Sequence, residues 1–295
     1  MPRNRPRIGA VSYLNSKPLV EGLSARLPGG LALDYPSRLA ASLAADKLDV
    51  ALIPSIEVLR SEGDYRIVSD ACVAARGPVR SVKVYFRVPP GDVRTLALDE
   101  GSRTSATLTS VLLHHRYGIT PAVEPLPLGR VVGDSSADAI LLIGDRAMFP
   151  VPGRFVAEWD LGDEWNRWTG LPFVFAVWAA RNDRLPAGLA SLLSSIRDAG
   201  VADVERIARR EARLLGLDAE VVLDYLTNNL HFTLSSAEQS GLKLFARLAH
   251  EAGLAPGGID RVFCAGNDDV SCDEPDASHG LPSDPSSERR YVAAR

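Results

Sequence analysis

Two segments with the pattern of β-strands, 80–88 and 171–179, bracket a middle stretch of about 85 residues, and that arrangement limits the fold more than any other feature. In the first, Val82, Val84, Phe86 and Val88 fall on one face while Ser81, Lys83, Tyr85 and Arg87 fall on the other, the period of two expected of a strand. The second is strongly apolar throughout. Before the first segment the pattern predicts strands at 7–13, 31–35 and 50–53, with helices at 16–23, 39–45 and 55–61, the last behind Pro54. Between the brackets it predicts strands at 95–98, 121–126 and 139–143, a helix from about 104 to 117 ended by Gly118, and a short helix at 160–169. From 185 to 253 the spacing is helical, roughly 186–199, 201–215, 219–229 and 235–253. A strand–helix rhythm run twice, the second time as an insertion, predicts an α/β clamshell. One lobe takes 1–90 and 175–265, the other 91–174, with mixed sheets and a helix-rich C-terminal block. The cleft between two such lobes is the default ligand site.

Composition narrows the function. Of the formal charge of -4, all is carried by 266–295, a Asp-, Ser-, Pro- and Gly-rich segment that reads as a disordered tail; the rest holds 30 acidic and 30 basic residues. A neutral body argues against a nucleic-acid surface. No apolar run approaches the ~18 residues of a membrane span. Three cysteines (Cys72, Cys264 and Cys272) without a CxxC argue against a disulfide framework or a cysteine zinc site. The basic, proline-rich opening lacks the apolar core of a signal peptide, so a cytoplasmic protein is expected. His114 and His115 are adjacent on a helix and cannot share a metal; GxGxxG, P-loop and G-x-S-x-G patterns are absent, so no metal or nucleotide is expected.

Polar groups gather where strands give way to helices, the edge at which open α/β sheets bind ligands. The first cluster is Ser12, Tyr13, Asn15 and Ser16, in which Asn15 or Ser16 also suits a plain helix cap. The second is Ser102, Arg103, Thr104 and Ser105 behind Gly101, offering hydroxyls, helix-start amides and a cation to a carboxylate, or again a simple cap. Ser81 reads as an ordinary strand serine. Trp159, Trp165 and Trp168, beside Thr169 and Gly170, floor a ring-shaped ligand or, more plainly, pack their lobe. These residues by themselves lead to a two-lobed binder of a small anion.

The opening RIGAVSYLNSKPL at 7–19 resembles that of the chorismate dehydratases of the futalosine route to menaquinone. LDVALIPS at 48–55, GPVRSV at 77–82, SRTS at 102–105, LIGD at 142–145 and WNRWTGLPF at 165–173 continue the resemblance in order. It implies a periplasmic-binding-protein-like fold of the second type and conversion of chorismate to 3-[(1-carboxyvinyl)oxy]benzoate and water. Aromatisation drives that reaction, so no cofactor is implied. By motif, the active-site asparagine and serine fall on Asn15 and Ser81. The residues expected to bind substrate are Ser12, Tyr13, Ser16, Ser55, Ser102, Arg103, Thr104, Ser105, Asp145, Thr169 and Gly170. The base is the substrate's own side-chain carboxylate or, as the alternative, Asp145. A sister family that makes 1,4-dihydroxy-6-naphthoate opens on a Pro-Asn-Asp type motif that this chain lacks. A solute-binding protein would call for an export signal, and a ligand-sensing regulator for a DNA-binding segment.

Overall fold

The computed structural model describes residues 6–27, 30–181 and 188–257. The acidic segment 266–295, Cys264, Cys272 and the start expected for the helix at 186 lie outside them. Eleven strands are found among the described residues: β1 (Ile8–Val11), β2 (Leu31–Asp34), β3 (Val50–Pro54), β4 (Tyr65–Ala75), β5 (Val82–Phe86), β6 (Thr95–Asp99), β7 (Ala122–Leu126), β8 (Ala139–Ile143), β9 (Ala157–Asp160), β10 (Phe173–Arg181) and β11 (His231–Thr233). The helices are α1 (Lys17–Val20), α2 (Leu23–Arg26), α3 (Pro36–Ala44), α4 (Ser55–Arg60), α5 (Arg103–Tyr117), α6 (Leu161–Thr169), α7 (Leu189–Ala202), α8 (Val204–Leu215), α9 (Ala219–Asp224) and α10 (Ser236–Glu251).

The strands form two mixed sheets, ordered β11-β4-β10-β3-β1-β2 and β7-β6-β8-β5-β9. In the first sheet β1 runs parallel to β2 and β3, while β10 is antiparallel to β3 and β4. In the second, β6 is parallel to β7 and β8, and β5 is antiparallel to β8 and β9. The fold is thus the expected α/β one. β10 is buried from Phe173 to Ala180, which is why its sequence is apolar without alternation.

Differences from the sequence pattern have local causes. The helix expected at 16–23 is broken at Gly22, which adopts φ +75°, leaving α1 and α2 as single turns. β4 was not foreseen because Ser69 and Asp70 interrupt its apolar pattern; the strand pairs irregularly with β10 there, and Asp70 takes the Arg197 guanidinium. The strand expected to close the first lobe, 80–88, forms as β5 inside the second sheet, where Val84 and Phe86 pack with Trp159. The three tryptophans pack rather than floor a cleft: Trp165 lies edge-on to Phe173 and Phe245 and donates to the Pro172 carbonyl.

The two sheets are held together away from the strands by helices. α5 of the second unit packs on α4 and α10 of the first, and α6 packs against β5, β9 and β10. Polar contacts cross at the same places: Arg103 to Glu57 at 2.8 Å, Arg60 to Thr107 at 3.2 Å, and the His115 ring nitrogen to the Leu248 carbonyl at 3.0 Å.

Candidate functional site

The C-terminal ends of β1 and β3 face the start of α5 across a cleft partly open to solvent. Its apolar walls include Val11, Pro36, Pro54, Val73, Ile143 and Phe175; its polar side chains are Tyr13, Asn15, Ser81, Ser102, Thr104 and Ser105. None of the lining residues described is charged. A largely apolar cleft with a few convergent hydrogen-bonding groups is the usual form of a small-molecule site.

The first cluster is shaped by Ser16, whose hydroxyl donates to the carbonyls of Val11 and Tyr13 and so pins the turn between β1 and α1. Neither Asn15 nor Ser16 caps the helix through its side chain. Asn15 instead turns its Oδ1 into the interior, where it is a buried acceptor with no partner. Such an atom costs about 1–3 kcal/mol if nothing ever fills it. On a residue of the cleft lining, it is suited to receive a donor group of a ligand. Ser12 does not line the cleft; its amide donates to the Asp34 carbonyl at 3.1 Å. Tyr13 packs its ring against Tyr35 and over Gly144, and burial pushes its phenol well above the usual range.

The second cluster sits on a loop built by Asp99. One carboxylate oxygen accepts from the Gly101 amide at 2.9 Å, the other from the Ile143 amide at 3.1 Å and from Arg146 at 2.5 Å. Ser102 caps α5 by accepting from the Ser105 amide at 3.1 Å, so cap and cleft wall are the same residue. Thr104 Oγ1 accepts from the Ile56 amide at 3.3 Å and meets Ser55 Oγ at 3.4 Å, while Ser55 donates to the Val174 carbonyl at 2.7 Å. Ser55 therefore braces the wall from behind. Arg103 points away, into its pair with Glu57.

Ser81 enters from the start of β5 and is almost fully buried. The residue before it, Arg80, has φ +59°, a conformation that a non-glycine residue adopts at a cost of about 1 kcal/mol or more. Asp160 holds the bend in place, accepting from the amides of Val79 at 2.9 Å and Arg80 at 2.6 Å while capping α6 through Gly162 and Asp163. Burial raises the Asp160 carboxyl above its usual range, against the opposing pull of those four amides.

The remaining expected residues stand outside the lining. Asp145 accepts from the Leu14 amide at 2.9 Å, tying the second unit to the loop that carries Asn15, and burial raises its carboxyl. Thr169 donates to the Trp165 carbonyl, and Gly170 ends α6 at φ +70°. One contributor escaped the sequence: Tyr225 donates to Ser81 Oγ at 2.8 Å from far along the chain and lies in no recognisable motif, whereas Asp99, which organises the second loop, stands at the head of the second cluster.

The chain matches the menaquinone biosynthesis family over residues 6–251. It is 32% identical over 257 residues to the chorismate dehydratase of Thermus thermophilus, covering 81% of this chain and 93% of that protein. It is 26% identical over 246 residues to the chorismate dehydratase of Campylobacter jejuni, covering 82% and 93%. Among solved structures, the alkanesulfonate-binding protein SsuA of Xanthomonas axonopodis superposes with a TM-score of 0.62 at 17% identity, over 89% of this chain and 97% of that one. This likeness shows a periplasmic-binding-protein-like fold. The chain belongs to the menaquinone biosynthesis family, in company with the chorismate dehydratases.

Proposed function

We propose that this protein is a chorismate dehydratase, a hydro-lyase of menaquinone biosynthesis that converts chorismate to 3-[(1-carboxyvinyl)oxy]benzoate and water. The observation that carries the reading is that Asn15, in the turn after β1 of one sheet, and Ser81, just before β5 of the other, line one uncharged cleft in which Asn15 Oδ1 lacks a partner. The chain passes between its two units near 76–81 and 170–172 in this reading, which puts Ser81 at the crossing. No described helix is long and apolar enough to cross a membrane; chorismate reaches the protein as a small molecule of the cytoplasm.

The hydrogen leaves the ring carbon that bears the enol-ether oxygen, and the hydroxyl leaves the next carbon; the ring gains its third double bond. That C–H is conjugated through a ring double bond to the ring carboxylate, so its electrons move towards that carboxylate as a dienolate. Ser102, Thr104, Ser105 and the free amides at the start of α5 are donors where this charge grows, favouring the transition state over the ground state. Asn15 orients the hydroxyl, and Ser81 donates to it as it departs. No carboxylate or imidazole is among the described lining residues, which favours the substrate's side-chain carboxylate as the base. It takes the ring proton and returns it to the leaving hydroxide, so one water is released and no oxidant is consumed. Asp145 is engaged with the Leu14 amide instead.

The test is purified protein with chorismate, followed by liquid chromatography and mass spectrometry. A product lighter by one water with a benzoate spectrum is expected. Chorismate that binds but survives would make the protein a binder, and chorismate that neither binds nor reacts would turn attention to the sister naphthoate reaction.

A further inference from the structure

We propose that Tyr225 is a positioning residue that fixes which way the Ser81 hydroxyl points, making Ser81 a hydrogen-bond donor towards the cleft. The proposal rests on the dehydratase reading of Ser81. The Tyr225 hydroxyl, on a fully buried side chain, donates to Ser81 Oγ at 2.8 Å. A serine hydroxyl has one proton and two acceptor positions. With one acceptor position occupied by the phenol, the serine proton must point elsewhere, and no described residue accepts it. The direction left open is the cleft that Ser81 lines. A departing hydroxide needs a donor there, and an untethered serine would spend part of its time turned away.

The surroundings of Tyr225 fit this role. Residues Tyr225–Asn229 form a π-helical turn at the end of α9, a local widening that recurs at functional sites. This turn and the residue before it also grip the bend that leads into Ser81 and β5. Asp224 pairs with Arg80 at 2.7 Å, and Asn229 Nδ2 donates to the Pro78 carbonyl at 2.8 Å. The bend carrying the unfavourable φ of Arg80 is therefore clamped from the C-terminal block as well as by Asp160. Burial pushes the phenol far above its usual range, which keeps it a donor at neutral pH. Three polar contacts from residues 224–229 to residues 78–81 are more than packing of an aromatic side chain requires.

Tyr225→Phe removes the donor and keeps the ring. In steady-state turnover of chorismate the variant is expected to lose about tenfold in kcat, the scale of one neutral hydrogen bond lost from the transition state, with KM within about twofold of wild type. Introduced into Ser81→Ala, the same change is expected to cost nothing further, since the group it orients is gone. Wild-type kcat in Tyr225→Phe overturns the proposal, as does an equal loss in the Ser81→Ala background, which would mark a purely structural role. If the wild-type protein leaves chorismate unchanged, the dehydratase reading fails by itself. Neutron crystal structures of wild type and Tyr225→Phe then decide the positioning claim: a Ser81 proton directed into the cleft in wild type and turned or spread in the variant is expected, and the same proton direction in both overturns it.

Discussion

The ring of Tyr13 occupies the space into which a side chain on Gly144 would project: a β-carbon there would lie 2.7 Å from one ring carbon and 2.8 Å from another. Gly144 also has φ +73°, and its amide donates to the Ser81 carbonyl at 2.9 Å. One glycine thus joins both sides of the cleft. Gly144→Ala is expected to lower Tm by about 4–8 °C, from about 2 kcal/mol of steric and backbone cost. It is also expected to raise KM for chorismate about tenfold or more as Tyr13 is pushed out of the wall. Calorimetry and initial rates check the two separately; unchanged values in both would mean that Tyr13 has room to move.

Asn15→Ala and Ser81→Ala are each expected to lower kcat by about 10²–10³, the scale of losing one key donor or orienting group. Their effects on stability should differ in kind. Ser81→Ala leaves the buried Tyr225 hydroxyl without its acceptor, a loss of about 1–2 kcal/mol. Asn15→Ala removes an acceptor with no protein partner and should leave Tm unchanged or slightly raised, as expected where a polar group serves a ligand and not the fold. Denaturant melts alongside turnover measure both; wild-type turnover in either variant would remove that residue from the reaction.

Asp145 offers a test through pH. Burial raises its carboxyl above the ordinary aspartate value, so its contribution to stability is full below the unfolded value and is lost as pH rises through the folded one. At neutral pH the folded protein therefore bears the cost of a buried charge. Asp145→Asn retains an oxygen for the Leu14 amide and removes that charge. The variant is expected to melt higher than wild type at pH 7, with the gap closing as pH falls towards 4. A gap independent of pH would show that the charge itself is not the cost.

What the sequence discloses here is governed by distance along the chain. β10 is legible because eight consecutive buried residues leave no polar interruption, and the start of α5 because Ser102 and Gly101 announce a cap. β4 is hidden because Ser69 and Asp70, polar in sequence, are satisfied by Ser194 and Arg197 of α7. The cleft shows the same division. Tyr13, Asn15, Ser102, Thr104 and Ser105 stand in two local motifs, and the structure brings these together. Ser81 has no signal of its own beyond its place in a resembling segment. Tyr225 has none at all, since its link to Ser81 spans 144 positions and is created only when the C-terminal helices fold back on the bend before β5.

Arg103 separates local motif from actual geometry most sharply. Its position at the start of α5 marks it as a cation for a substrate carboxylate, yet its guanidinium pairs with Glu57 at 2.8 Å, outside the lining of the cleft. The pair is partly exposed, so it contributes no more than about 1 kcal/mol to stability. If the carboxylates of the substrate are held by hydroxyls and helix-start amides, Arg103→Gln should change KM for chorismate by less than about twofold and leave kcat intact. Initial rates over a range of chorismate concentrations decide it. A tenfold rise in KM at constant kcat would mean that Arg103 leaves Glu57 and turns into the cleft when substrate binds.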